Sequence, residues 1–132
     1  MMSSYTGLAP KILSVFRIVV GLLFMEHGLQ KWLDFPPAQT PREMQLFSML
    51  FFSGTLELIG GALLAIGLFT RPTAFVLSGM MAVAYFIAHA PRGFFPILNG
   101  GELAIVYCFA FLYLSAAGGG VWSADRYVRK AG

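Results

Sequence analysis

The sequence predicts an all-α integral membrane protein, a bundle of four transmembrane helices that forms a single domain over residues 1–132. Three observations predict this class. Hydrophobic residues make up 58% of the chain and charged residues only 11%, whereas about a quarter of the residues of a soluble domain are charged. At about 20 residues per crossing, 132 residues leave room for four helices and short loops. Proline- and glycine-rich stretches divide the chain into four apolar segments.

The first helix is predicted at about 10–33. Pro10 stands in its first turn, where the missing N–H of proline leaves no hydrogen bond unmade, and the loop DFPPAQTP follows Leu33. The apolar run 12–25 also has the length of a signal-peptide core. However, Arg17 interrupts this run and no small-residue cleavage site follows it, so we expect a retained helix.

The other three helices are predicted from the loops that separate them, at about 44–68, 73–90 and 102–117. Arg71 and Pro72 form a very short break, so the second and third helices should be antiparallel neighbours. The loop PRGFFPILNGG separates the third helix from the fourth.

Small residues on helix two predict close helix packing, because backbones in lipid approach each other where side chains are small. The small residues of this face are Gly54, Gly60, Gly61, Ala65 and Gly67. In the first helix, Arg17, Gly21, Phe24, Gly28 and Lys31 share one stripe at 100° per residue, and Glu26 points away from it.

Lysine and arginine residues predict the orientation in the membrane. Six belong to the side of the termini: Lys11, Arg17, Arg71, Arg126, Arg129 and Lys130. Three belong to the opposite side: Lys31, Arg42 and Arg92. The positive-inside rule therefore places both termini in the cytoplasm, and we expect a multi-pass protein of a bacterial-type cytoplasmic (inner) membrane.

Charge and cysteine content exclude several classes. The net charge is +3, but the basic residues lie at helix ends rather than on one face, so we predict no binding of nucleic acid. Cys108 is the single cysteine, which rules out an internal disulfide and a CxxC thiol pair. Any redox role would therefore need a bound cofactor or another chain.

Ionisable residues interrupt every apolar segment, and they locate the candidate site. They are Arg17, Glu26, His27, Glu57, His89 and Glu102. Each would cost about 2.5–3.5 kcal/mol near the centre of a spanning helix unless a partner, water or a ligand compensates it. Glu57 lies about ten residues inside helix two, roughly 15 Å deep. We predict a structural ion pair between Glu57 and Arg17, since a guanidinium stays charged and binds a carboxylate bidentately.

Most of the polar residues fall in the outer half of the predicted bundle, where they should converge on one pocket. The candidate catalytic residues are His27, Glu57, His89 and Glu102. The candidate quinone-binding residues are His27, Lys31, Tyr85, His89 and Asn99, of which Tyr85 and His89 share a stripe of helix three. The hydroxyl of Ser78, the phenol of Tyr85 and the imidazole of His89 lie along this stripe. Such a row of polar groups suits the binding of a quinone carbonyl or a proton relay.

Other interpretations of these residues stay open. The buried charges could serve only to hold the bundle together. His27 and His89 could ligate a haem, and histidine with glutamate could bind zinc, but no confirming motif such as HExxH is present, so haem and metal are disfavoured.

Four segments together resemble the DoxX family of small four-helix membrane proteins. They are RIVVGLLFMEHGLQKW at 17–32, GTLELIGGALLAIGLFTRPTAF at 54–75, NGGELAIVYCFAFLYL at 99–114 and WSAD at 122–125. The resemblance covers nearly the whole chain, and Glu26 is its one evident departure from the family pattern.

The resemblance implies a function linked to redox metabolism. The family is associated with quinone-linked sulfur oxidation, and its members are commonly labelled oxidoreductases or subunits of oxidoreductase complexes. We therefore expect a membrane subunit of quinone-linked oxidoreduction. The alternative is a non-catalytic scaffold that anchors a soluble redox or stress-response partner protein. A small transporter is a third hypothesis, disfavoured because no internal repeat is evident.

Overall fold

The structure is a computed structural model that describes residues 2–38 and 48–131. Within these ranges the chain is helical and contains no strand, which confirms the predicted all-α class. The helices are α1 (Met2–Leu33), α2 (Met49–Ile66), α3 (Thr70–Ala84), α4 (Pro96–Asn99), α5 (Glu102–Ala117) and α6 (Ala124–Ala131). A π-helical segment, Tyr85–His89, and a 3₁₀ turn, Ala90–Arg92, continue α3.

Three helical spans of the described residues are long and apolar enough to cross a membrane: Thr6–Leu33, Met49–Ile66 and Thr70–Arg92. The 16-residue α5 is a shorter apolar helix. Large apolar side chains are exposed along the outside of the four long helices, α1, α2, α3 and α5, for example Val19, Ile59, Val83 and Phe109. An outer surface of this kind is solvated by lipid rather than by water, so the chain is a membrane protein.

The four long helices pack as two hairpins, α1 with α2 and α3 with α5. Glycines hold α1 and α2 together. A Cβ atom built at Gly28 would lie 2.5 Å from the backbone nitrogen of Leu58, so the two backbones are in contact. The core between the hairpins consists of buried apolar side chains: Phe24, Leu64, Ala74, Leu77, Met81, Tyr107, Phe111 and Leu114.

The observed helix bounds differ from the predicted ones at several ends. Helix α1 begins at Met2 rather than near residue 10, so Pro10 lies inside the helix and not in its first turn. Proline removes one backbone donor, and here the helix continues on both sides of it. The predicted start of the second helix, at 44, lies outside the described residues. This helix ends at Ile66 because Gly67, with φ 76°, forms a left-handed cap.

The C-terminal helix α6 was not predicted, and it binds the turn between α2 and α3. The carboxylate of Asp125 accepts hydrogen bonds from the backbone N–H groups of Phe69 (2.7 Å) and Thr70 (2.9 Å). Phe69 precedes α3 with φ 51° and offers no side-chain cap of its own. Asp125 therefore caps α3 from a distant part of the sequence, at the end of the bundle that carries the chain termini.

Candidate functional site

A cavity of about 500 Å³ lies between the two hairpins, at the end of the bundle where α1 ends and α2 and α5 begin. Its walls are mostly apolar, and they include Phe24 and Met81 from the core. Met49 and Ile87 line the cavity and are also exposed, at 68% and 53%. The cavity therefore reaches the lipid-facing surface and has the size of a typical ligand pocket.

An ion pair between Lys31 and Glu57 provides the charge in this cavity. The Lys31 Nζ lies 2.6 Å from a carboxylate oxygen of Glu57, and it also donates to the Ser53 hydroxyl at 3.0 Å. The side chains are 21% and 6% exposed, so a charged pair is held in an environment of low dielectric constant. Gly54 makes the contact possible, since the stem of Lys31 lies across its Cα.

Two imidazoles line the same cavity, His27 from α1 and His89 from the π-helical segment. The ring of His27 packs edge-on to that of Tyr107, with centroids 6.2 Å apart. The Nδ1 of His89 lies 3.2 Å from the backbone oxygen of Asn99. In the tautomer that donates this hydrogen bond, Nε2 is the acceptor and is available to a ligand. Single π-helical turns occur frequently at functional sites.

Tyr85 and Asn99, predicted to bind the quinone, do not line the cavity. Both instead contact His89 on the side of its ring away from the cavity: the Tyr85 ring stacks with the imidazole, and the Asn99 backbone oxygen lies near its Nδ1. The Asn99 amide donates to the Tyr85 hydroxyl at 3.1 Å and to the Gly93 carbonyl at 2.9 Å, and its oxygen accepts from the Gly101 N–H. Asn99 is 2% exposed. The pair therefore orders the loop between α3 and α5 and orients the imidazole.

The predicted ion pair between Arg17 and Glu57 is not formed. Arg17 is buried, and its guanidinium donates to backbone oxygens of Leu64 (2.8 Å), Trp122 (2.8 Å) and Gly119. The reason is the register of the helices. Gly21 contacts Ala65, so Arg17 lies beside the C-terminal end of α2, whereas Glu57 lies nearer the other end, beside Lys31.

Glu102 and Glu26 lie outside the cavity. Glu102, a predicted catalytic residue, is exposed in the first turn of α5, and Gly100 and Leu103 line the wall beside it instead. Glu26 is exposed on the face of α1 that points away from α2, as the helical stripe predicted. The cavity thus brings together four of the predicted residues: His27, Lys31, Glu57 and His89.

Sequence reasoning missed Tyr107 and Ser53, which both line the cavity. Tyr107 is 7% exposed and packs against Phe24, with ring centroids 5.2 Å apart. It lies in a run of apolar and aromatic residues, so no local sequence pattern marks it as a residue of the site. Over residues 2–38 and 48–131, no group of three His, Cys, Asp or Glu side chains is close enough to bind a metal ion.

Comparisons with known proteins identify relatives of this chain. The model of the DoxX family matches residues 12–90. An uncharacterized protein of Haemophilus influenzae is 46% identical over 121 residues, which cover 89% of this chain and 90% of that protein. The uncharacterized membrane protein Rv3486 of Mycobacterium tuberculosis is 26% identical over 137 residues, covering 92% and 83%. No solved structure matches the chain.

The fold and the cavity define a helical membrane protein in which two hairpins enclose a mostly apolar cavity with a few polar groups. The family match spans more than half of the chain. The protein belongs to the DoxX family.

Proposed function

We propose that the cavity binds the head group of a membrane quinone, and that the protein is a membrane subunit of a quinone-linked oxidoreductase. One observation carries the proposal: a partly buried Lys31–Glu57 pair and two imidazoles face an apolar cavity that reaches the lipid surface. A quinone arrives from the lipid phase, has an apolar ring, and presents two carbonyl oxygens that accept hydrogen bonds. The walls and the polar groups of this cavity match both properties.

The residues of the cavity supply the protons of such a reaction. Reduction of a quinone to its quinol takes up two electrons and two protons. His27 would donate a hydrogen bond to a quinone oxygen, an imidazolium form of His89 would supply one proton, and the hydrogen-bonded Lys31–Glu57 pair would exchange the other. The two electrons would come from a soluble redox protein that the chain anchors at the membrane.

Quinone binding by the full-length protein, purified in a neutral detergent, tests this proposal. The probe is a short-chain ubiquinone, and the readout is quenching of tryptophan fluorescence together with mass spectrometry of the retained quinone. We expect Glu57→Gln and His27→Ala each to raise the dissociation constant by about tenfold or more. Glu26→Gln is the matched control, because Glu26 is adjacent to His27 but is exposed and does not line the cavity.

Equal quinone affinity in the wild type, Glu57→Gln and His27→Ala would refute the proposal. The same result would favour the scaffold hypothesis, in which the Lys31–Glu57 pair serves only to hold α1 against α2. Cross-linking to a soluble partner in intact membranes would then be the experiment that identifies the function.

We further propose that both chain termini face the cytoplasm of a bacterial-type cell, across its cytoplasmic membrane. The support is the excess of basic residues at the end of the bundle that carries Arg71 and α6. A fluorescent protein that folds only in the cytoplasm, fused after Gly132, should fluoresce, and a periplasmic phosphatase fused there should be inactive. The reverse result would invert the orientation.

A further inference from the structure

A second cavity, of about 450 Å³, lies at the opposite end of the bundle and is lined by three arginines. Arg71 comes from the first turn of α3, and Arg126 and Arg129 come from successive turns of α6. The floor is the backbone of Gly118–Gly120, and Pro10 and Leu13 of α1 form one side. None of the residues that line the cavity between the hairpins contributes to this second cavity.

The fold holds the side chain of Arg71 in place and anchors the helix that carries Arg126 and Arg129. Arg71 Nη1 donates to the Ala116 carbonyl at 2.5 Å, and its guanidinium packs on Gly118, whose Cβ would lie 3.1 Å from Nη2. Gly118 has φ 83°, a conformation that favours glycine. Helix α6 is fixed by its hydrogen bonds to the α2–α3 turn, including one from the Asp125 N–H to the Gly67 carbonyl (2.9 Å).

A nearby carboxylate, Asp125, attracts Arg129, but its single negative charge compensates at most one of the three arginines. Both oxygens of Asp125 accept backbone N–H groups of α3, and Asp125 does not line the cavity. Three arginines therefore line this cavity, and Asp125 lies in the adjoining cleft beside Arg71 and Arg129, so the described residues leave an excess of positive charge here. Guanidinium groups bind phosphate oxygens in pairs of parallel hydrogen bonds, which is the chemistry expected of an anion here.

The position of the cavity identifies the source of the anion as lipid. Tyr113 lines it, and Trp122 and Tyr127 lie close to its arginines in sequence; all three are exposed, at 58%, 52% and 71%. Exposed tyrosine and tryptophan at the end of a transmembrane bundle mark the level of the lipid head groups. Basic cavities between transmembrane helices bind the head groups of anionic lipids.

We propose that the cavity of Arg71, Arg126 and Arg129 binds the phosphate of an anionic phospholipid head group. The lipid would link α6 to the ends of α1 and α3, so it would stabilise the folded protein in proportion to its concentration. A zwitterionic lipid carries the same phosphate together with a cation, which the arginines repel.

The test is a lipid titration of the full-length protein in neutral detergent. The readout at each lipid concentration is the thermal unfolding midpoint, measured by tryptophan fluorescence. The probes are phosphatidylglycerol, phosphatidylcholine and glycerol 3-phosphate. We expect phosphatidylglycerol to raise the midpoint in the wild type. In R126Q/R129Q its apparent dissociation constant should increase at least about tenfold. The control K11Q/R92Q loses the same charge from two exposed residues that do not line the cavity, and should behave like the wild type.

Three results would overturn the proposal. Equal stabilisation of the wild type and R126Q/R129Q would show that the arginines are not the site. Equal stabilisation of R126Q/R129Q and K11Q/R92Q would show a general effect of charge. Binding of glycerol 3-phosphate as tight as that of phosphatidylglycerol would identify a soluble phosphate as the ligand.

If R126Q/R129Q does not purify as a folded protein, R126K/R129K replaces it in the test. This variant keeps the charge but removes the paired hydrogen bonds, and it should still weaken the binding of phosphatidylglycerol.

Discussion

Single residues in this protein show how a buried charge is stabilised in two different ways. Lys31 and Glu57 compensate each other at 2.6 Å beside the cavity. Arg17 is compensated by hydrogen bonds to backbone oxygens of α2 and of the segment after α5, with the charge of Asp125 nearby. The first arrangement places a carboxylate and an ammonium group in the wall of the cavity. The second leaves a charge that does not titrate and serves to connect parts of the chain 105 residues apart.

Arg17→Lys should destabilise the protein although it keeps the charge. An ammonium group cannot reach Leu64, Gly119 and Trp122 together, and a buried acceptor left without a donor costs about 1–3 kcal/mol. We expect a loss of that size in the free energy of unfolding, measured by chemical denaturation in mixed micelles.

Arg92→Lys, at an exposed position, is the control for that measurement and should leave the free energy of unfolding unchanged. If Arg17→Lys were as stable as the wild type, the hydrogen bonds of the guanidinium would make no net contribution to the free energy of unfolding.

At the scale of elements, the α1–α2 pair depends on glycines that place backbone against backbone. A Cβ at Gly28 would meet Leu58 N at 2.5 Å and the Gly54 carbonyl oxygen at 2.8 Å, and one at Gly61 would meet Met25 N at 2.7 Å. Backbone atoms cannot move aside as the end of a side chain does. The same close packing brings Lys31 and Glu57 within hydrogen-bonding distance, so packing and site are coupled.

Gly28→Ala should force α1 and α2 apart, at a cost of about 1–3 kcal/mol for overpacking. Gly79→Ala is the matched control, since a Cβ at this exposed helical position has no atom within 4 Å. We expect Gly79→Ala to be neutral or stabilising by up to about 1 kcal/mol, because alanine favours helix. Thermal unfolding in detergent distinguishes them, and equal effects of the two substitutions would contradict the packing argument.

Because Asp125 caps α3, the free energy of unfolding should fall at acidic pH. Partial burial alone would raise the pKa of Asp125, but hydrogen bonds from Thr70 and Phe69 and the nearby Arg129 outweigh it, so the pKa lies below its ordinary value of 3.8. A carboxyl whose pKa is lower in the folded than in the unfolded chain stabilises the fold above the unfolded-state pKa. This contribution is lost as the pH falls through the lower, folded-state value.

Asp125→Asn should therefore cost about 0.5–2 kcal/mol at neutral pH and flatten the fall in stability below about pH 4. The measurement is the unfolding midpoint between pH 2.5 and 7. Asp34→Asn, at an exposed carboxylate of the opposite end, is the control. An Asp125→Asn protein with an unchanged pH profile would show that the cap is not the titrating group.

At the scale of the whole molecule, the two cavities described above lie at opposite ends, one between the helical hairpins and one beside α6. The α2–α3 turn joins the hairpins, and Asp125 of α6 binds this turn. The first cavity is mainly apolar with a few polar groups, and the second is basic. The protein therefore has two chemically different ends, which is consistent with one ligand from the lipid core and another from the head-group region.

Ala104→Trp should fill the cavity between the hairpins and abolish quinone binding without large destabilisation, because it occupies existing space on α5. Val106→Trp places the same ring on the exposed face of α5 and should bind quinone like the wild type. Fluorescence quenching by a short-chain quinone is the readout. Wild-type affinity in Ala104→Trp would exclude this cavity as the binding site.

The sequence by itself determined the helical membrane class, the helix α5 at Glu102–Ala117, the glycine face of α2 and the resemblance to the DoxX family. These features are encoded locally, in composition and in periodicity along one helix. Only the tertiary structure decided that Lys31 rather than Arg17 pairs with Glu57, and that Tyr107 lines the site while Glu102 does not. Periodicity gives the face of a helix on which a residue lies. The height at which two antiparallel helices meet depends on contacts such as Gly28 with Gly54, which couple residues far apart in the chain.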